Sequence, residues 1–189
     1  IGKANKYLLP FAKKIFVSYQ DLEGIPKKNK KKVISIGNLI REEIIEKKIS
    51  FDEKNKFNNL KILVLGGSQG AKIFAENLPP IFEKIKNLKL SIKVYQQCQK
   101  NQNYQLTEFY EKAKIEHEIF NFKDNIIDYY LKTNLVITRS GASALGELIN
   151  IKIPFISIPL PTSADNHQYK NAEFYYKRGY GFLLEEKDI

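Results

Sequence analysis

The chain has one cysteine, two histidines, no tryptophan and no methionine in 189 residues. A lone thiol, Cys98, excludes an internal disulfide framework and a thiolate metal cluster, and it fits a reducing compartment. His117 and His167 stand far apart, with no carboxylates at ligand spacing, so no metal site is expected. No apolar run approaches the ~20 residues that cross a bilayer. The opening residues, IGKANKYLLPF, hold too short an apolar stretch for a signal peptide and lack a small-residue cleavage site. A start without Met is what a fragment or a processed chain would show. Arginine is scarce as well: Arg41, Arg139 and Arg178 are the only three.

Lysine is abundant instead, and the net charge is +10. Such a surface favours anionic partners, whether nucleic acid, acidic lipid headgroups or phosphorylated ligands. Most of the lysines read as solvated surface. No aromatic stripe interleaves with them, so a nucleic-acid partner, with its salt-sensitive binding, is not expected. The few arginines carry more information, because guanidinium offers phosphate a planar fork that lysine lacks. Hydrophobic residues make up 43% and aromatics 12%, enough for a real core. The length suits one domain, or one domain plus part of another.

The first forty residues are irregular. A helix is expected over 4–14 with Pro10 as a break or kink, a strand at Ile15–Ser18, and a lysine-rich connector, KKNKKK, at 27–32. A strand at Val33–Ile36, a turn at Gly37-Asn38 and a short helix over 39–48 follow, then a polar linker over 50–59. From Lys61 the pattern is regular. Continuous apolar strands at 62–65, 90–97, 117–122, 135–138, 154–158 and 181–184 alternate with helices ending near 86, at 105–114, 126–132, 142–150 and 166–177. Apolar strands that alternate with helices predict an α/β fold, a parallel sheet covered on both faces. Ligands in such sheets bind at the carboxyl ends of the strands.

Three loops at those ends carry unusual residues. GGSQGA, 66–71, lets backbone N–H groups approach an anion at a helix start. It fits neither the dinucleotide fingerprint nor the Walker loop, since Leu65 and Ala71 stand where those motifs need glycine. A tight strand-to-helix turn without a ligand explains it equally well. ITRSGASALGE, 137–147, resembles a serine-nucleophile elbow, G-x-S-x-G, until Leu145 occupies the place of the last glycine. What remains is a helix N-terminus of small residues with free amides. Ala142, Leu145 and Ile149 share one helical face, directed to the core. Ser143 and Glu147 are neighbours one turn apart on another. Glu147 there is either a ribose-binding carboxylate or a solvated surface residue. PLPTSADNHQYKNA, 159–172, gathers polar groups able to meet a sugar, and Asp165 or Asn166 is expected to cap the helix after it.

GNLIR (37–41), GGSQGA (66–71), FKDNI (122–126), RSGASALGE (139–147) and DNHQYKNA (165–172), in this order, resemble the MurG family along essentially the whole chain. That resemblance implies the second half of a GT-B glycosyltransferase. Residues 1–40 would be a remnant of the N-terminal acceptor domain, and 41–189 the Rossmann-like, donor-binding domain without its last elements. It implies inverting transfer of N-acetylglucosamine from UDP-GlcNAc to lipid I, making lipid II for peptidoglycan, with no metal or other cofactor. Arg41 would approach the diphosphate, and Ser68 the donor phosphate or sugar. The backbone at Lys123 would read uracil. Ala142, Ser143, Ala144, Leu145, Gly146 and Glu147 would line the nucleotide, with Glu147 on the ribose. His167 and Gln168 would meet the GlcNAc hydroxyls. The family's glycine-rich motif and suspected catalytic histidine are absent, so the chain is expected to bind donor and to be inactive alone. The lipid I acceptor would engage through the absent domain. Peripheral association with the cytoplasmic face of the plasma membrane, through anionic inner-leaflet lipids, is implied too. Ala144 departs from relatives that carry threonine there. Another GT-B enzyme, such as a lipid glycosyltransferase or a UDP-GlcNAc epimerase, or a non-catalytic nucleotide-binding module, is the alternative.

Overall fold

The computed structural model describes residues 3–19, 24–46, 59–67 and 71–189. Its first elements are helix α1 (Lys3–Leu8) and strands β1 (Ile15–Val17) and β2 (Val33–Ser35), which pair in parallel as a separate two-stranded sheet. Helix α1 stops well short of residue 14. Pro10 lacks an N–H and disfavours helical backbone in the residue before it.

KKNKKK is not a bare connector. Residues Lys27–Lys32 wind into a 3-10 helix. Its one non-lysine, Asn29, is buried and donates to the Leu9 carbonyl at 3.0 Å, and the Lys32 ammonium donates to the Ala12 carbonyl at 2.8 Å. A charge-rich string holds shape because one polar residue inside it has a buried backbone partner.

Helix α2 is short, Glu42–Ile45, and the expected linker, apart from Asn59, lies outside the described residues. Then come β3 (Asn59–Leu65), α3 (Lys72–Asn87), β4 (Ser91–Gln97), α4 (Asn103–Lys112), β5 (Glu116–Phe120), α5 (Ile127–Lys132), β6 (Leu135–Thr138), α6 (Ala142–Asn150), β7 (Phe155–Ser157), α7 (His167–Tyr176) and β8 (Phe182–Leu183). The six later strands form one parallel sheet in the order β5-β4-β3-β6-β7-β8.

Strand β3 shows why this sheet needs helices on both sides. Its side chains alternate between faces, yet all four residues from Ile62 to Leu65 are buried. Ile62 and Val64 join Phe74, Leu78 and Phe82 of α3 and Leu106 and Tyr110 of α4 in one core. Leu63 and Leu65 join Tyr129 and Tyr130 of α5, Leu145 and Leu148 of α6 and Tyr175 of α7 in the other. Ile44 of α2 is fully buried in that second core, which ties the segment before the sheet to α6.

Candidate functional site

Strands β3 and β6 are neighbours, but the chain leaves β3 towards β4 on one side and β6 towards β7 on the other. At such a reversal the two following loops part and leave a crevice beyond the strand ends. Leu65 pairs with Thr138 at that end, and the Arg139 N–H donates to the Leu65 carbonyl at 3.2 Å. Gly66-Gly67 and Arg139-Ser140-Gly141 then diverge. The cleft between them has two adjoining lobes of about 540 and 380 Å³ that share Gly67, Arg139 and Gln168 as walls.

Two helices begin at this cleft. Ala71 precedes α3 and Gly141 precedes α6, and neither supplies a side-chain cap. The first-turn N–H groups of a helix have no partner within it, and the aligned peptide dipoles place positive charge there. Ala71 and Lys72 line the larger lobe, and Gly141 and Ala144 the smaller. The pair of helix starts is suited to a bound anion.

The walls are held by buried polar groups. Arg139, 9% exposed, donates through Nη1 to the carbonyls of Ile158 and Pro159 at 3.2 and 3.3 Å. Its Nη2 is ion-paired with Glu186, and its guanidinium lies 4.6 Å from the Phe74 ring centre. Gln168 on α7 accepts through Oε1 from the N–H of Ser140 at 3.3 Å and of Leu160 at 3.0 Å. That leaves its side-chain NH2 as a donor at the wall common to both lobes. Asn171, one turn later, donates to the Ser140 carbonyl at 3.0 Å.

Glu147 is not a solvated surface residue: it is 7% exposed. Arg41 grips it with both arms of its fork, Nε to Oε1 at 2.8 Å and Nη2 to Oε2 at 3.0 Å. The Tyr130 hydroxyl donates to Oε2 at 3.3 Å. The hydrogen bond to Glu147 raises the pKa of Arg41 against the lowering effect of burial. Burial, then the Glu147 charge, pushes the Tyr130 phenol up.

The other residues named from sequence fall in distinct places. Lys123 and Ala144 line the smaller lobe; Lys123 is exposed, its ammonium 5.9 Å from the Tyr129 ring centre. Ala142 gives its carbonyl to the Asn38 side chain at 3.3 Å, and Ser143 is exposed outside both lobes. Leu145 is fully buried in the core, and Gly146 packs against Asn38. His167 is exposed, with Nδ1 2.8 Å from the Ala164 carbonyl, and lies off both lobes. Ser68 lies outside the described residues. The helix before which Asp165 or Asn166 was expected to act has no side-chain cap; Asn166 sits there in left-handed backbone, φ 53°, and the Ser163 hydroxyl instead accepts from the Gln168 N–H at 3.3 Å.

Sequence reasoning passed over Arg139, one of the three residues common to both lobes, and Phe122, 70% exposed at the rim of the smaller. Arg139 had a signal, being one of three arginines and placed at the end of an apolar strand. Phe122 sat within FKDNI, where an apolar residue reads as the last of a strand.

Residues 61–189 match the glycosyltransferase family 28 C-terminal domain. The chain is 40% identical over 190 residues to the UDP-N-acetylglucosamine–N-acetylmuramyl-(pentapeptide) pyrophosphoryl-undecaprenol N-acetylglucosamine transferase of Pelagibacter ubique, covering all of this chain and 52% of that protein. It is 39% identical to the protein of the same name from Rickettsia felis, again over the whole chain and 54% of the relative. The chain thus spans about half the length of the curated relatives it matches. Among solved structures, Acinetobacter baumannii MurG aligns over the whole chain and 51% of its own, with a TM-score of 0.78 and 25% identity.

Proposed function

The chain belongs to glycosyltransferase family 28, and from that membership we propose that it carries the donor half of an inverting hexosyltransferase, a site for UDP-N-acetylglucosamine. The observation that carries this reading is the pair of uncapped helix starts, α3 and α6, opening on one cleft at the sheet's switch point. A nucleoside diphosphate is a doubly charged ligand and, in the transfer, a leaving group that gains charge. Oriented amides stabilise it without reorganisation as the bond to the sugar breaks.

In this reading the diphosphate lies across the starts of α3 and α6, with Ser68 beside it. The nucleoside occupies the smaller lobe, its uracil read by backbone at Lys123 and stacked near Phe122, its ribose directed to Glu147. Ala142 to Gly146 supply amides and a close-packed wall. The sugar lies in the larger lobe, where the Gln168 NH2 meets a hydroxyl and His167 stands beside that helix start. The two carboxylates lining the cleft among the described residues, Glu76 and Glu186, are paired with Lys72 and Arg139.

The acceptor is lipid I, and the product lipid II for peptidoglycan and hence for cell shape and division. Residues 1–40 are then the end of the acceptor domain, and 41–189 the donor domain. The separation of the β1–β2 pair from the six-stranded sheet supports that division. The enzyme works peripherally at the cytoplasmic face of the plasma membrane. The +10 charge favours anionic lipid there; no described helix is long and apolar enough to cross it.

Amide NMR of the chain titrated with UDP-GlcNAc tests the site. Shifts concentrated at Gly66, Gly67, Lys123, Gly141–Ala144 and Gln168 are expected. Saturable shifts elsewhere that leave these amides unmoved would refute it.

A further inference from the structure

Helix α3 opens on the cleft with a lysine. Lys72 is its first residue, and Lys72, Ile73 and Glu76 all line the larger lobe. The helix face that carries residues 72 and 76, one turn apart, therefore borders that lobe. The backbone at Lys72 is held from below: its carbonyl accepts from Nε2 of the buried Gln102 at 3.4 Å. The Lys72 side chain is 72% exposed, and its ammonium lies 3.4 Å from Oε1 of Glu76.

Helix stability does not account for this placement. The positive end of the helix dipole disfavours a cation in the first turn, and α3 has no acidic residue there to offset it. The pair with Glu76 also runs in the weaker direction, cation before acid. Two other helical pairs at the same spacing, Glu108–Lys112 on α4 and Glu173–Lys177 on α7, run acid first, and those four residues line neither lobe. The reversed pair borders the cleft; the two in the stabilising direction lie away from it. An anion at the start of α3 changes the sign of the argument, because the ammonium then faces negative charge that the helix amides attract as well.

We propose that Lys72 is a specificity-determining residue of the donor site: it exchanges Glu76 for the sugar-side phosphate of a nucleoside diphosphate, and so selects diphosphate over monophosphate. The proposal rests on the donor-site reading above, in which the diphosphate crosses the starts of α3 and α6 between nucleoside and sugar. Lys72 lines the larger lobe and not the smaller, so the phosphate it meets is the one that bears the sugar. Arg139, the other cation of the larger lobe, is 9% exposed and already bonded to Glu186 and to two carbonyls. An exposed lysine pair is weak and exchanges partners at little cost. Each side of the exchange is neutralised in turn: Glu76 holds the ammonium over the lobe until the ligand displaces it.

The test measures UDP and UMP binding to the whole chain by calorimetry. The wild type is expected to prefer UDP. Lys72→Gln should lower that preference about five-fold, the worth of a partly exposed charged contact, and leave UMP unchanged. Lys72→Arg should keep the preference. Glu76→Gln, which frees the ammonium and removes a carboxylate from the lobe, should tighten UDP about two-fold or more. Lys72→Gln should also unfold at the same urea concentration as the wild type or a higher one, since it removes a cation from the positive helix end. If Lys72→Gln weakens UMP and UDP by the same factor, or weakens neither, or if Glu76→Gln weakens UDP, the proposal is wrong while the donor site stands. If the wild type binds neither nucleotide, the donor-site reading falls and this proposal falls with it.

Discussion

Gly146 and Asn38 are in direct contact: a Cβ built on Gly146 would lie 2.4 Å from the Asn38 Nδ2 and 2.8 Å from its Cβ. The second distance matters more, since a Cβ cannot swing aside without its backbone. Gly146→Ala would ordinarily stabilise a helix by up to ~1 kcal/mol. Here overpacking of ~1–3 kcal/mol opposes that gain, and the Asn38 bonds to Ala142 and Tyr175 are strained as well. A net loss is expected, seen as a lower urea midpoint with unchanged slope. A higher midpoint would show that the segment yields freely.

Arg139 ties the loop after β7 and Glu186 into the wall of the cleft. Arg139→Met removes the cation and leaves the largely buried carboxylate of Glu186 unpaired. Breaking one partner of such a pair costs roughly 3–5 kcal/mol, and the partial exposure of Glu186 points to the lower end. Adding Glu186→Leu should recover much of the loss. Thermal unfolding of the single and double variants measures this; a double variant no better than the single would mean that the carbonyl contacts, not the ion pair, hold the wall.

Alkaline pH should destabilise the fold. Burial raises the phenol pKa values of Tyr110 and Tyr130 above the ordinary value of 10.0. Above that pH the unfolded chain loses these protons while the folded chain keeps them, so the folded state binds more protons and stability falls as pH rises. The contribution is intact below the unfolded value. Urea midpoints from pH 8 to 11 should decline beyond about 10, less steeply in Tyr110→Phe. A flat profile would contradict the burial of these phenols.

Cys98, 2% exposed, has its thiol pKa raised by burial. The thiolate is the reactive form, so alkylation at neutral pH should require opening of the core between the sheet and helices α3 and α4. Mass spectrometry with iodoacetamide should find modification slower by orders of magnitude in buffer than in urea. Rapid labelling of the native chain would show that β4 ends in a looser place.

The sheet was legible from β3 onward because its central strands, β3 and β6, are buried on both faces and so appear as unbroken apolar runs between helices. Leu135–Thr138 and Ala142–Asn150 fall at the expected bounds. KKNKKK was not legible, since Asn29 looks like any solvated asparagine until Leu9 is beside it. The burial of Glu147 was hidden for the same reason. Its partner Arg41 lies 106 positions away, and local periodicity records which residues share a face but not what covers that face. Position along the chain identified the cleft's loops; the contacts that hold them, Arg139 with Glu186 and Gln168 with Ser140 and Leu160, are long-range.

The central claim is that the switch-point cleft binds UDP-GlcNAc, with Glu147 on the nucleoside. Isothermal titration of the chain with UDP-GlcNAc and with ADP-glucose, repeated on Glu147→Ala, tests it most directly. The account predicts saturable binding that favours UDP-GlcNAc and weakens about ten-fold or more in the variant, the loss of a charged acceptor. Equal affinity for the two nucleotide sugars, or an unchanged constant in Glu147→Ala, would contradict it.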